Sequence, residues 1–296
     1  MKIWIETAGL RGKNDRLLRH GLLYSVHRLR KAGYQLGFVI DELSEAQQEL
    51  LDNDGVEPAF TNSGEAGGKI FLSADEKLKL TVDGEPLAEA SDWISLTEKW
   101  LFPQRSTGIK RSTSETDIEG RINLDGSGKA EISTGIGFFD HMLEQIARHG
   151  LVDIELHCDG DLEVDEHHTI EDVAIALGTA VDEALGKRMG IQRYGFVLPM
   201  DESKATVTLD FSGRPFLKFE ASFDREMVGE FPTEMTEHFF YSLAINMKAT
   251  LHIEVEGSND HHKIEACFKG FGRCLRTAVS RSERMSNILP STKEKL

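Results

Sequence analysis

The stretch DEHHTIEDVAIALG, Asp165–Gly178, puts two adjacent histidines before a glutamate, and NDHHKIEACFKGFG, Asn259–Gly272, does so again. Consecutive helix residues point about 100° apart, while residues four apart share a face. His167 and Glu171 can therefore hold one ion together, as can His261 and Glu265, while His168 and His262 look elsewhere. Imidazole nitrogens mixed with carboxylates suit Mn, Fe, Co, Ni or Zn better than Ca or Mg. The economical arrangement is two metals, each taking the His–Glu pair of one copy and the lone His of the other.

Two outlying histidines share the symmetry. His141 follows Asp140, and His238 follows Glu237, each in a shorter helical stretch of its own half. One ion is then expected from His167, Glu171, His262 and His238, the other from His261, Glu265, His168 and His141. Exchange of His141 with His238 is the open alternative. Three His and one Glu leave room on an octahedral ion for a chelating substrate. A solitary helical histidine is ordinarily a surface or core residue, and His20, His27 and His157 are read so. His149 and His252 also stay outside the ligand set, His149 as the end of a helix before Gly150.

The elements that must carry these residues read as a duplication of about 112–190 and 191–285. Strands in ETDIEGRINLDGSGKAEISTG, a helix GFFDHMLEQIARHG, a strand LVDIELHCDG and a long helix EHHTIEDVAIALGTAVDEALG are followed by the same order. The second set is SKATVTLDFSGRPFLKFEASF, TEMTEHFFYSLAINM, ATLHIEVEG and DHHKIEACFKGFGRCLRTAV. Apolar spacing through Val173, Ala176, Leu177, Ala180 and Ala184 gives one buried helix face. The predicted class is α+β, with an antiparallel sheet in each half and helices on one face of each. A boundary is expected in FPQRSTGIKRSTSETD, Phe102–Asp117, dividing a small α/β domain, 1–105, from the duplicated domain, 106–296.

Composition sets limits. The net charge is −16, which excludes non-specific nucleic-acid binding, though a local basic cluster can still hold a small anion. No apolar run is long enough to cross a bilayer, and the N-terminus reads without a secretory signal, so no membrane is expected. Three cysteines, Cys158, Cys267 and Cys274, make no disulfide framework, and a cytoplasmic setting is expected.

The motifs STGIGFFDHMLEQIARHG, DEHHTIEDVAIALG, RYGFVLPMDE, DFSGRP, EHFFYSLA and NDHHKIEACFKGFGR closely resemble imidazoleglycerol-phosphate dehydratase, a carbon–oxygen lyase of histidine biosynthesis. The resemblance runs from about Ser112 to the C-terminus. It implies dehydration of D-erythro-imidazole-glycerol phosphate to imidazole-acetol phosphate, two manganese ions at subunit interfaces, and trimers packed into a 24-subunit shell. Metals gripping the imidazole as its anion would orient the substrate, and the ring could expel hydroxyl through a diazafulvene-like species. A carboxylate must move the carbon-bound proton. Glu171 is one candidate base. Glu115 is the other, since it matches a family glutamate that reaches the substrate from a neighbouring subunit. With His141 these are the candidate catalytic residues. The resemblance assigns the phosphate to Arg193, Arg214, Lys269, Ser291 and Lys293, with Glu115 also touching substrate.

In some bacteria this dehydratase is fused to a histidinol-phosphatase of the haloacid-dehalogenase type, and LRKAGYQLGFVIDE is similar to a helix and strand of such a domain. Its catalytic loop, Asp-x-Asp-Gly-Thr, is here Glu6, Thr7, Ala8, Gly9 and Leu10, and Asp41 stands where a Ser or Thr belongs. The implied reading is a shortened, catalytically silent remnant; residual phosphatase activity and an unrelated small α/β domain are the alternatives. For the duplicated domain the alternatives are an unrelated di-metal hydrolase, which the histidine pairs alone would allow, and a metal-storage or shell protein, which the contacts at Arg193, Arg214 and Lys269 argue against.

Overall fold

A computed structural model describes residues 1–195, 198–282, 285 and 288–291. The chain forms two compact units, Met1–Pro103 with Arg281–Ile288, and Gln104–Ser280 with Leu289–Leu296. Among the described residues no helix is long and apolar enough to cross a membrane.

In the N-terminal unit, β1 (Lys2–Ile5) leads through a single turn, α1 (Thr7–Leu10), to α2 (Leu22–Lys31), β2 (Gln35–Gly37) and α3 (Glu45–Asn53). Then come β3 (Gly68–Leu72), β4 (Leu78–Val82), β5 (Glu85–Ala90) and α4 (Trp93–Leu101). The sheet order is β2-β1-β3-β4-β5. β1 runs parallel to β2 and β3, and the last three strands are antiparallel. Ile3, Ile5, Leu36, Ile70 and Leu80 bury one core with Leu29, Trp93 and Leu96. The Trp93 indole N–H donates to Gly9 O at 2.8 Å, so the largest buried side chain keeps its donor paired.

The duplicated unit begins with β6 (Ser106–Ser112), β7 (Thr116–Asn123), β8 (Ala130–Ser133), α5 (Gly137–Gly150), β9 (Asp153–Gly160) and α6 (His167–Leu185). It continues with β10 (Tyr194–Gly195), β11 (Leu198–Met200), β12 (Ser203–Asp210), β13 (Phe216–Glu220) and a small hairpin of β14 (Met227–Val228) and β15 (Phe231–Pro232). It ends with α7 (Met235–Asn246), β16 (Thr250–Glu256) and α8 (Asp260–Val279). The sheets are β6-β7-β9-β8 and β10-β12-β16-β13, with β11 also on β12.

One sequence expectation is corrected. Neither sheet is purely antiparallel: β8 pairs with β9, and β13 with β16, in parallel. The helix between each pair returns the chain to the same end of the sheet, as a crossover connection must. The stretch expected to hold the domain boundary contains both the division of the two units, between Pro103 and Gln104, and a strand. Ser106–Ser112 pairs along β7 although only Ile109 is buried in it; as an edge strand it leaves Ser106, Thr107 and Arg111 half-buried and the rest exposed.

One hydrophobic core serves both halves. Ile118, Ile122 and Leu156 from the first sheet and Val207, Leu209 and Ile253 from the second pack on the four helices. Each fully buried Leu, Ile or Phe contributes roughly 1.5–3 kcal/mol. The helices pair crosswise, α6 with α7 and α5 with α8. Two glycines permit this. A Cβ on Gly178 would stand 2.8 Å from Leu243 O, and one on Gly272 would stand 3.0 Å from Ile146 O. Both close twelve-residue stretches that open with the paired histidines, so the duplication extends to the helix crossings.

Candidate metal centre

The crosswise pairing decides which histidines meet. His167 and Glu171 lie on the first turns of α6, and His238 lies on the first turn of α7. Local chemistry fixes the starts of α6 and α8. Asp165 Oδ1 accepts from His167 N at 2.9 Å, and the Asn259 side chain accepts from His261 N at 3.0 Å and His262 N at 3.4 Å. Asp172, next to Glu171, is buried and accepts from Thr116 Oγ1 at 2.6 Å and from Arg111 Nε at 2.8 Å, which pins the rotation of α6 against β6 and β7.

His167 Nε2 is 3.6 Å from Glu171 Oε2, and His238 Nε2 is 3.4 Å from Glu171 Oε1. Among the described residues these three form the one group of three or more His, Cys, Asp or Glu whose ligand atoms all lie within 4.8 Å of each other. In the second half, His261 Nε2 is 3.7 Å from Glu265 Oε2, and His141 Nε2 is 3.9 Å from Glu265 Oε1. His141 is exposed and also lies beside Gln145 and Glu144.

His168 and His262 are in neither group, and each is held by a carboxylate that sequence reasoning missed. Asp161 lies 3.1 Å from His168 Nδ1, and Glu202 lies 2.8 Å from His262 Nδ1. Asp161 hydrogen bonding raises the His168 pKa above its ordinary value, against an opposing effect of burial, and Glu202 does the same for His262. His262 in turn holds the Glu202 carboxyl down at about 2. A ring that donates from Nδ1 presents its Nε2 lone pair outward. Glu115 is exposed, with its carboxylate 3.8 Å from His168 Nε2. Glu115 and Glu202 stand in equivalent places, each one residue before the corresponding strand, β7 or β12.

The proposed phosphate ligands are placed variously. Arg193, at φ 71°, grips Asp210 through Nε and, at 2.9 Å, through Nη2. Its Nη1 donates to Pro290 O at 3.0 Å, which brings the segment carrying Ser291 to this arginine. Arg214 is exposed at the turn after β12. Lys269 lies on Glu265, its Nζ 2.7 Å from Oε1. Lys293 lies outside the described residues. Near Lys269, burial pushes the His149 pKa down, with Lys269 and Arg273 adding to it. All three cysteines are buried, and burial pushes the Cys158 and Cys274 thiols up to about 12, unsuited to metal binding.

Residues 134–275 match the family model described as imidazoleglycerol-phosphate dehydratase. The chain is 55% identical over 212 residues to the Histidine biosynthesis bifunctional protein HisB of Actinobacillus pleuropneumoniae, covering 69% of this chain and 58% of that protein. For the protein of the same description from Bacteroides fragilis the values are 53% over 191 residues, 64% and 51%. The chain thus spans little more than half the length of these curated relatives. Among solved structures, imidazoleglycerol-phosphate dehydratase from Staphylococcus aureus superposes with a TM-score of 0.55 at 37% identity, over 60% of this chain and 99% of that one. The Pyrococcus furiosus enzyme, in complex with (S)-C348, gives 0.54 and 34% over 63% and 99%. With the whole of such an enzyme matched at this identity, the chain belongs to the imidazoleglycerol-phosphate dehydratase family.

Proposed function

We propose that this chain dehydrates D-erythro-imidazole-glycerol phosphate to imidazole-acetol phosphate at a centre that takes two manganese ions. The observation that carries the reading is the convergence of His167, Glu171 and His238 from opposite halves of the duplication. His238 Nε2 is shielded from solvent and has no hydrogen-bond partner among the described residues, although it faces Glu171. A buried polar atom left so is unfavourable until something completes it, and nitrogen–carboxylate donors fit a transition-metal ion. His167, Glu171 and His238, with His262 from a neighbouring subunit, would hold one ion. His141, His261 and Glu265, with His168, would hold the other. Trimers within a 24-subunit shell are the assembly in which such sharing is expected.

Bound ions would supply positive charge to the imidazole ring and the substrate hydroxyl. The chain's own groups do the rest. A carboxylate takes the carbon-bound proton, the hydroxyl departs as water carrying the equivalent of that proton, and the enol left behind tautomerises to the ketone. Glu171 is the first candidate for the base and Glu115 the second. Arg193 is prepared for the phosphate, since Asp210 fixes its guanidinium and the segment leading to Ser291 already touches it. The test is Glu171→Gln at full manganese loading. Turnover should fall by roughly 10²-fold or more, the scale for a positioned proton acceptor. Unchanged turnover would move the base to Glu115.

The N-terminal unit is read as silent in phosphoryl transfer. Glu6, at the position of the phosphatase nucleophile, is paired with Lys69, and the Thr7 hydroxyl donates to the Glu42 carboxylate. Ala8 has no proton to give, and Asp41 adds negative charge where phosphate would sit. No turnover of histidinol phosphate with magnesium is expected. Turnover at ordinary enzymatic rates, abolished by Glu6→Ala, would show residual phosphatase activity instead.

A further inference from the structure

The two half-sites differ one helical turn beyond the repeated His-His-x-x-Glu motif. Four residues after Glu171 stands Ile175, whereas four residues after Glu265 stands Lys269. One turn along a helix brings a side chain onto the same face, and Lys269 Nζ accordingly lies 2.7 Å from Glu265 Oε1. That oxygen is the one that faces His141, 3.9 Å away. The Glu265 side chain is 9% exposed and the Lys269 side chain 16%, so the pair is well shielded, while Glu171 is 37% exposed and pairs with no lysine among the described residues. Lys269 also touches Met200 Sδ at 3.3 Å, which packs its chain against β11. A divalent ion at Glu265 Oε1 would share that one oxygen with the ammonium, and like charges at such range repel strongly in a shielded site.

We infer that Lys269 is a resident cation of the second half-site, and that it must leave Glu265 before a metal ion can bind there. This rests on the two-metal reading above. The half-sites then fill in order. Among the described residues no lysine or arginine pairs with Glu171, so His167, Glu171 and His238 load first. His141, His261 and Glu265 load second, and only then is the Lys269 ammonium free for the phosphate of the substrate. Metal occupancy and phosphate recognition are thereby coupled through one side chain.

The test is a manganese titration of the metal-stripped, full-length protein in its native assembly, with free manganese read from its paramagnetic resonance signal. Wild type should show two classes of site separated by roughly tenfold or more, the scale of one shielded charge-assisted bond. Lys269→Met should tighten the weaker class by about that factor and leave the stronger one unchanged. A second measurement needs no variant: reductive methylation of Lys269, followed by peptide mass analysis, should speed up between one and two equivalents of manganese. Two classes unaltered by Lys269→Met, or Lys269 labelling indifferent to the second equivalent, would overturn the inference and leave the metal reading intact. Failure of both proteins to bind manganese would overturn the metal reading and this inference with it.

Discussion

His238 Nε2 lies 3.4 Å from Glu171 Oε1, although the two residues belong to opposite halves of the duplication. The contact exists because α6 packs on α7, and its counterpart, His141 near Glu265, exists because α5 packs on α8. Each half therefore supplies the long-helix motif of one half-site and the outlying histidine of the other. Neither half is complete alone, which ties the chemistry of the site to the packing of the helices.

The carboxylates behind the second histidines should matter for metal affinity. Asp161 and Glu202 fix the rings of His168 and His262 by accepting at Nδ1. Asp161→Asn and Glu202→Gln should each weaken manganese binding by roughly 10- to 100-fold, the usual effect of losing such a partner. Calorimetric titration of each variant checks this, and wild-type affinity in both would remove these residues from the account.

The helix crossings should tolerate no added methyl group. Gly178→Ala and Gly272→Ala would press Cβ against Leu243 O and Ile146 O, both backbone atoms. Each should destabilise the unit by roughly 1–3 kcal/mol, read from urea denaturation. The same change at Gly137, where a Cβ meets nothing within 4 Å, is the control and should be nearly neutral.

Acid stability should depend on Asp153. Burial raises its pKa, but backbone N–H groups of Lys129, Ser127 and Gly128 outweigh that and hold it below 3.8. Three of them donate to the single oxygen Oδ1, at 2.7–3.0 Å. The folded pKa is lower than the unfolded one, so the stabilisation is full above the unfolded value and is lost as pH falls through the folded one. Asp153→Asn should therefore be less stable than wild type at pH 7, with the gap closing as pH falls below about 4. Denaturation midpoints from pH 7 to 3 test this, and a gap constant with pH would contradict it.

Much of the site could be read from sequence because its signals are local. The pairs His167–Glu171 and His261–Glu265 follow from helical spacing, and α6 buries Val173, Ala176, Leu177 and Ala180 on the face that its apolar spacing marks. What escaped depends on distant pairing. Glu202 is far from His262 in the chain and reaches it only because β12 and α8 are neighbours. β6 carries a single buried side chain, Ile109, and so lacks the alternation that reveals a strand. The Lys269–Glu265 pair was within reach of the same four-residue rule that found the histidines. Lysine was read instead through the phosphate it resembles a ligand for, and its ion pair with Glu265 emerged only from the structure.

The central claim is that the duplicated histidine–glutamate sets form a metal-dependent dehydratase centre. The most direct measurement is conversion of D-erythro-imidazole-glycerol phosphate to imidazole-acetol phosphate by the chelator-stripped protein, followed as manganese is added back and counted by elemental analysis. The account predicts negligible turnover without metal and full turnover as the second ion per chain is taken up, with His238→Ala failing to recover. Undiminished turnover in protein shown to be free of metal, or none in protein carrying two manganese ions per chain, would contradict it.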